Sequence, residues 1–400
     1  MRIKSCLLYL TVTLSTLSLY GMEQYGSIEN VISNWDSQQA QAVLGYDPEP
    51  LFVHEENNKD MQPGMLTIVH HGLGGSRDCI AHIKNFGRAS YLPGTVLAYN
   101  LADAVKPGEQ YDRTQMNLAQ MKEVKPALYI LTKLHNAGMK EWSQTGISRG
   151  GGVASNVMGV LADYEKHKIE LEKLGITAEI ADSLLISLKN TILLWPLSDV
   201  RTAIKKQVHN VSQVSYEYVT QKASNSILGK TAKIITSPLT YTWDVLSSFS
   251  AISSPSSIED ITDYMTSSSV ASTAVAIDYG LSMVTDYSPY GLQIKDSMNK
   301  LQQISYKYPY WNFLLKTEED DEAVGNDATF FDSLPVKRGA KYWLHGTTED
   351  RPAYERAHLW MSQEHAAAIH AFNARHGGAN YNNQKWLQEG FDTLENTQKN

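Results

Sequence analysis

Residues 144–153 read QTGISRGGGV, and within them Gly146, Ile147, Ser148, Arg149 and Gly150 fit the pattern GxSxG. The pattern marks a serine held on a sharp strand-to-helix turn, where the residues two before and two after must be small to avoid clashes. So short a match is weak by itself, and its flanks decide the reading. Upstream, Trp142 to Thr145 follows the turn-like Asn136, Ala137 and Gly138, as a short buried strand would. Downstream, Gly150, Gly151 and Gly152 lead into VASNVMGVL, an apolar run of small residues suited to a helix lying close on a sheet. Strand, turn and helix stand in the required order. Arg149, first in that helix, would turn its backbone N–H back towards the serine, where a helix N-terminus favours developing negative charge.

A second glycine-rich turn lies upstream. Met65 to Val69 (MLTIV) is an apolar, β-branched strand candidate that runs into HHGLGGS, where Gly72, Gly74 and Gly75 let the backbone approach a ligand. An ordinary strand-to-helix turn is the plain alternative. A phosphate loop of the Walker type would end in GK[ST], which GGSRD lacks. Together the two motifs resemble those of the α/β-hydrolase superfamily, whose members often carry an HG dipeptide after the third strand. The resemblance implies that Ser148 is the nucleophile and that His71 and Gly72 shape the loop. It also implies that the backbone N–H groups of Leu73 and Arg149 form an oxyanion hole, with Gly146 and Gly150 serving the turn.

A nucleophilic serine needs a base, and the base an orienting carboxylate. AKYWLHGTTEDRPAYERA reads as a strand, Lys341 to Leu344, opening into a polar turn and then a helix starting near Pro352. This resembles the HGxxD element after the seventh strand of many α/β-hydrolases. The fourth place after His345 is Glu349 and the fifth is Asp350. Asp350 is preferred as triad acid because the shorter carboxylate is usual there in the family, with Glu349 as the alternative. Ala368 to Phe372 is read as a short final strand, and Gly377 and Gly378 leave His376 on an exposed loop, where the resemblance places the catalytic histidine. The order Ser148, Asp350, His376 is that of the superfamily. If residues 354–374 were instead one helix, His365 and His370 would be the fallbacks.

Twelve histidines are present, and one in a helix such as AHLWMSQEHAAAIH is more often packing than chemistry. His70, His71 and His345 at strand ends have backbone positioning as their plain reading. No HExxH occurs and only Cys79 lies outside the N-terminal stretch, so no metal or other cofactor is expected.

The chain has 400 residues, 42% of them hydrophobic, and a formal net charge of −8. That is enough apolar material for a large core, and the charge, with no basic stripe, argues against nucleic acid as a partner. Contact with a membrane surface through apolar patches is compatible with it. Arg2 and Lys4 precede the apolar stretch Cys6 to Tyr20, too short for a membrane span and followed by the small Gly21. Residues 1–21 therefore read as a signal peptide, whose removal would leave Cys79 without a disulfide partner.

Strand candidates at Leu51–His54, Met65–Val69, Thr95–Tyr99, Trp142–Thr145, Thr191–Trp195 and Lys341–Leu344 alternate with helical stretches, one of them broken or kinked at Pro126. The alternation implies an α/β fold with a mostly parallel central sheet flanked by helices. Ligands in such sheets bind at the carboxyl ends of the strands, where Asp199, after TILLWPLSDV, is a further candidate acid. Residues 22–200 and 336–400 are assigned to the core. Residues 201–335, rich in Ser, Thr and Tyr, are assigned to a large, mostly helical cap insertion. Within it EEDDE, Glu318 to Glu322, reads as a solvated loop.

The resemblance implies a serine hydrolase cleaving carboxylic esters, small or lipid-like, through an acyl-enzyme, and the N-terminal stretch implies that it is secreted or periplasmic. A serine peptidase of the prolyl-oligopeptidase-like type is the runner-up, since GISRGGG is close to the GxSxGG form found there. A non-catalytic binding protein on a hydrolase scaffold is the third reading.

Overall fold

The computed structural model describes residues 28–53, 66–73, 75–78, 96–104, 117–200, 203, 291–308, 311–319, 321, 324, 328–336, 339–347, 361–376 and 384–398. Its strands are β1 (Leu51–Val53), β2 (Leu66–His70), β3 (Val96–Ala98), β4 (Trp142–Ile147), β5 (Leu188–Leu194), β6 (Asn312–Glu318) and β7 (Lys341–Gly346). They form one sheet in the order β1-β3-β2-β4-β5-β6-β7. Only β1 runs antiparallel, against β3; the other pairings are parallel. The helices are α1 (Ser37–Leu44), α2 (Met121–Asn136), α3 (Arg149–Ala162), α4 (Tyr164–Lys173), α5 (Ala178–Ser187), α6 (Ile294–Ile304), α7 (Ala328–Ser333), α8 (Gln363–Arg375) and α9 (Gln384–Gln398).

Burial follows from this order. A parallel strand covered by helices on both faces must be apolar nearly throughout, and β2 and β6 are buried at every residue. β7 alternates buried and half-buried positions, as the terminal strand of the sheet does. Helix α3 carries the three glycines of the elbow into the core. A Cβ on Gly151 would lie 2.4 Å from Cβ of Pro196, and one on Gly159 2.2 Å from Oγ of Ser297 in α6. Only backbone-thin surfaces pack so closely. Helix α2 runs unbroken through Pro126 rather than stopping there.

Two expectations fail. The stretch 201–335 is not all insertion: β6 pairs with both β5 and β7 in the body of the sheet, and α6 packs on α3. Residue 292 is already tied to the core, since Gln120 Nε2 donates to Leu292 O at 2.9 Å and Leu292 N returns to Gln120 Oε1 at 3.2 Å. Ser297 Oγ donates to Asn156 Oδ1 at 2.7 Å. Residues 204–290, the remainder of the expected cap, lie outside the described residues, as does the expected signal peptide. The second failure is at Ala368–Phe372, expected as the last strand and found inside α8. A short apolar run has no period that separates strand from helix, and here the Ser362 cap, whose Oγ accepts from His365 N at 3.1 Å, starts a helix.

The contact between α3 and α6 gives a direct test. Gly159→Ala should destabilise the protein by about 1–3 kcal/mol through overpacking, read as a lower urea midpoint. An unchanged midpoint would mean that α6 does not rest on α3.

Candidate active site

Ser148 stands between β4 and α3 with φ 53° and ψ −121°, a left-handed backbone that is uncommon for any residue but glycine. Hydrogen bonds from several directions hold it. Ser148 N donates to Leu194 O at 2.8 Å, while Ser148 O accepts from Gly151 N at 2.9 Å and Leu197 N at 2.8 Å. The flanking glycines are a steric necessity. A Cβ on Gly146 would sit 2.4 Å from Gly150 O, and one on Gly150 would sit 2.0 Å from His70 O. The serine side chain makes no capping bond to α3, so the helix's first N–H groups are not consumed by it.

The HHG loop lies against this turn. A Cβ on Gly72 would lie 3.3 Å from Ser148 Cβ and 3.9 Å from its Oγ. The next residue, Leu73, is 46% exposed, an apolar side chain open to solvent. Beneath the loop the two histidines hold opposite tautomers. His71 Nε2 accepts from Leu101 N at 3.0 Å, so its proton is on Nδ1, which donates to Gly72 O at 2.8 Å. His70 is the reverse: Nε2 donates to Gln144 Oε1 at 3.2 Å, because that amide spends its NH2 on Ala154 O and Thr191, and Nδ1 accepts from Tyr99 at 2.7 Å. Both imidazoles have all their ring nitrogens engaged, which removes them as bases.

Arg149 presents more than a backbone N–H. Its guanidinium is buried with Asp103 and Glu123, pairing with Glu123 at 2.8 Å and more tightly with Asp103. It also donates to Asn117 O at 3.2 Å and Gly72 O at 3.3 Å. This arrangement was invisible in the GxSxG pattern, which specifies no residue at that place.

The expected base and acid fare differently. His376 is the residue closing α8, its carbonyl accepting from Asn190 Nδ2 at 3.2 Å and its ring against Tyr342 and Phe372. Asn190 and Tyr342 are near the starts of β5 and β7. Helix α8 begins by the carboxyl ends of the strands, where Ala366 and Met361 pack with Val69 and Ile147, and runs back along the sheet. Thirteen residues of helix span about 20 Å, so His376 is at the opposite edge from Ser148. It is not the base. Burial pushes its pKa down to about 4 there.

Asp350 and Glu349 lie outside the described residues. Asp199 follows β5 at the elbow's edge, its carbonyl accepting from Ala203 N at 3.0 Å. The acids that the sequence reading missed stand at the end of β6. Glu318 and Asp321 are fully buried, against the expectation of a solvated loop. Glu318 pairs with the equally buried Lys316, whose Nζ also donates to Thr317 O at 2.9 Å. Asp321 Oδ1 accepts from Val324 N at 2.9 Å. The signal was the run NFLLKTE just before the acidic residues, hidden inside the presumed insertion. His345 ends β7 level with Ser148 but three strand spacings away, on the order of 14 Å. Its Nδ1 lies 3.2 Å from Thr317 Oγ1. Among the described residues no group of acids, histidines and cysteines forms a metal site.

No protein family and no curated protein matches the sequence. Among solved structures, esterase B from Lactobacillus rhamnosis aligns at 12% identity over 94% of this chain and 96% of its own, with a TM-score of 0.36. A lipase-esterase related protein from Clostridium acetobutylicum aligns at 9% over 74% and 90%, TM-score 0.35. An esterase from Exiguobacterium antarcticum does so at 10% over 74% and 85%, TM-score 0.34. Likenesses this loose add no weight to the functional argument, which stands on the strand order and the elbow.

The buried histidines set a pH limit. Desolvation pushes His70 and His71 down to about 4 and His370 to about 3, with Arg149 adding to the effect at His71. Between about pH 6.5 and 4 the unfolded chain binds protons that the folded one refuses. Stability is therefore full above pH 6.5 and is lost as pH falls through that window. Urea midpoints at pH 7, 6, 5 and 4.5 should decline steadily, and a flat series would contradict the buried, neutral imidazoles.

Proposed function

On the premise that the chain has the α/β-hydrolase fold, we propose that it is a serine hydrolase of carboxylic esters. The observation that carries this reading is the left-handed backbone of Ser148 at the turn from β4 to α3, with Gly72 packed against it. Ser148 Oγ attacks the acyl carbonyl and gives its proton to a histidine. The oxyanion is received by the N–H groups of Leu73 and Arg149. The imidazole protonates the leaving alcohol, and water then releases the acid from the acyl-enzyme by the same steps in reverse roles.

We assign the orienting carboxylate to Asp321. It is buried at the end of β6, two strands from β4, and the backbone N–H of Val324 holds one of its oxygens. Glu318 is the weaker choice because Lys316 engages it. The base is sought between β7 and α8, since the end of β7 and the start of α8 both lie at the edge that carries Ser148. His358 falls there in the sequence, with His345 and His365 on either side. An ester with an apolar acyl or alkyl group is favoured by the exposed Leu73. The segment 204–290 follows β5 in the sequence, and we propose it as a cap that sets substrate size.

Purified Ser148→Ala should lose on the order of 10⁴-fold to 10⁶-fold in turnover while remaining folded. His358→Ala and Asp321→Asn should be nearly as damaging, and His376→Ala should stay within a few-fold of wild type. Running Asp350→Asn, Glu349→Gln, Asp199→Asn, His345→Ala and His365→Ala beside them locates the acid and base. If one of these is the dead variant, the role moves to it. Substrates should be p-nitrophenyl esters from acetate to palmitate, with aminoacyl arylamides alongside. Cleavage of arylamides alone would favour the peptidase reading. Failure of a fluorophosphonate to label Ser148 would leave a binding protein.

We also propose export through residues 1–21. N-terminal sequencing of the mature protein from its native host should begin at or near Met22, and an intact Met1 would refute it.

A further inference from the structure

The Gly72 carbonyl accepts three hydrogen bonds: from Arg149 Nη2 at 3.3 Å, His71 Nδ1 at 2.8 Å and Gly75 N at 3.2 Å. One of these donors, Arg149, belongs to the buried cluster with Asp103 and Glu123. The peptide joining Gly72 to Leu73 is trans, as are all those in the described chain. Its N–H therefore points opposite to its C=O. Pulling Gly72 O towards Arg149 turns Leu73 N–H away from the cluster. Gly72 itself packs on Ser148, so the orientation of this one plane decides where the donor points relative to the reacting carbonyl.

We infer that the Arg149 guanidinium, fixed by Asp103 and Glu123, is a positioning group for the oxyanion hole and sets the Gly72–Leu73 peptide so that Leu73 N–H meets the developing charge. This rests on the reading of Ser148 as nucleophile. The guanidinium is suited to it. Nη1 is spent on Asp103, Glu123 and Asn117 O, which leaves Nη2 on a rigid plane to reach Gly72 O. The carboxylates come from the ends of separate elements, Asp103 after β3 and Glu123 in the first turn of α2. The loop's geometry is thereby referred to the body of the fold instead of to its own glycines. A lysine at 149 would still answer the two carboxylates but, as a point charge, would not supply the fork.

Three variants separate positioning from mere stability. Arg149→Lys should reduce kcat about 10-fold to 100-fold, less than the roughly 100-fold to 1000-fold loss seen when an oxyanion donor is removed outright, because the donor is misaimed and not deleted. KM should change by less than about 2-fold, because ground-state binding does not use the donor. A trifluoromethyl ketone analogue of the preferred ester should weaken in proportion to kcat/KM. Gly75→Ala places a Cβ 3.2 Å from Gly72 O and 3.1 Å from His71 Nδ1 without touching the ion cluster, and should show the same signature at a near-normal Tm. Gly159→Ala, which crowds α3 against α6 away from the loop, should lower Tm with ketone affinity retained. The proposal is overturned if Arg149→Lys or Gly75→Ala keeps wild-type kcat and ketone affinity. It is equally overturned if all three variants lose activity only in step with Tm. Should Arg149→Lys fail to fold, Gly75→Ala and Gly159→Ala decide the matter. A wild-type protein that neither hydrolyses esters nor takes a fluorophosphonate fails the functional reading itself, a result distinct from either of these.

Discussion

One backbone conformation organises this molecule, the left-handed turn at Ser148. A serine gains nothing from φ 53° on its own account, and such strain persists only where the surroundings over-determine it. Here they do. Leu194 O, Gly151 N and Leu197 N grip the residue from the neighbouring strand, the following helix and the Pro196 turn. Gly146, Gly150 and Gly151 remove the side chains that would hold these pieces apart. The strain exposes Oγ on a short turn and aims the N-terminus of α3 at the same place.

The polar interior beneath that turn is built to be rigid. Tyr99, His70, Gln144 and Thr191 form a chain of hydrogen bonds crossing from β3 to β5, and each imidazole nitrogen has one assigned role. Buried polar groups that are fully satisfied specify a single arrangement, because any shift leaves one of them unpaired at about 1–3 kcal/mol. The ion cluster of Arg149, Asp103 and Glu123 extends this logic to charge, where removing one partner is more costly still. The adjacent His70 and His71 are thus scaffolding. They support the loop that lies against Ser148.

The far side of the sheet shows how topology relocates chemistry. Strand β6 enters between β5 and β7 after a long excursion of the chain, and it brings Glu318 and Asp321 to the edge where Ser148 stands. Helix α8 carries His376 the other way, because a helix lying across parallel strands and starting at their carboxyl ends must finish at their amino ends. Both outcomes follow from connectivity, which no short stretch of sequence displays by itself.

The elbow, the HHG loop and six strands were legible in the amino-acid order, because steric demand at a glycine and apolar runs bounded by turns are local properties. Gly146, Ser148 and Gly150 announce their turn without reference to anything distant. The stretch NFLLKTE was passed over because it lay within a long polar segment, and short apolar runs do not declare whether they join a sheet. Ala368 to Phe372 misled for the same reason: its period fits strand or helix until the Ser362 cap and the packing of Ala366 on Val69 choose. The partners of Arg149 were out of reach altogether. Asp103 and Glu123 stand 46 and 26 positions earlier in the chain, and only folding brings three charges into one dry space. Sequence determined the turn that holds the serine; tertiary structure decided which charged groups surround it, since burial and long-range pairing are properties of the assembled sheet.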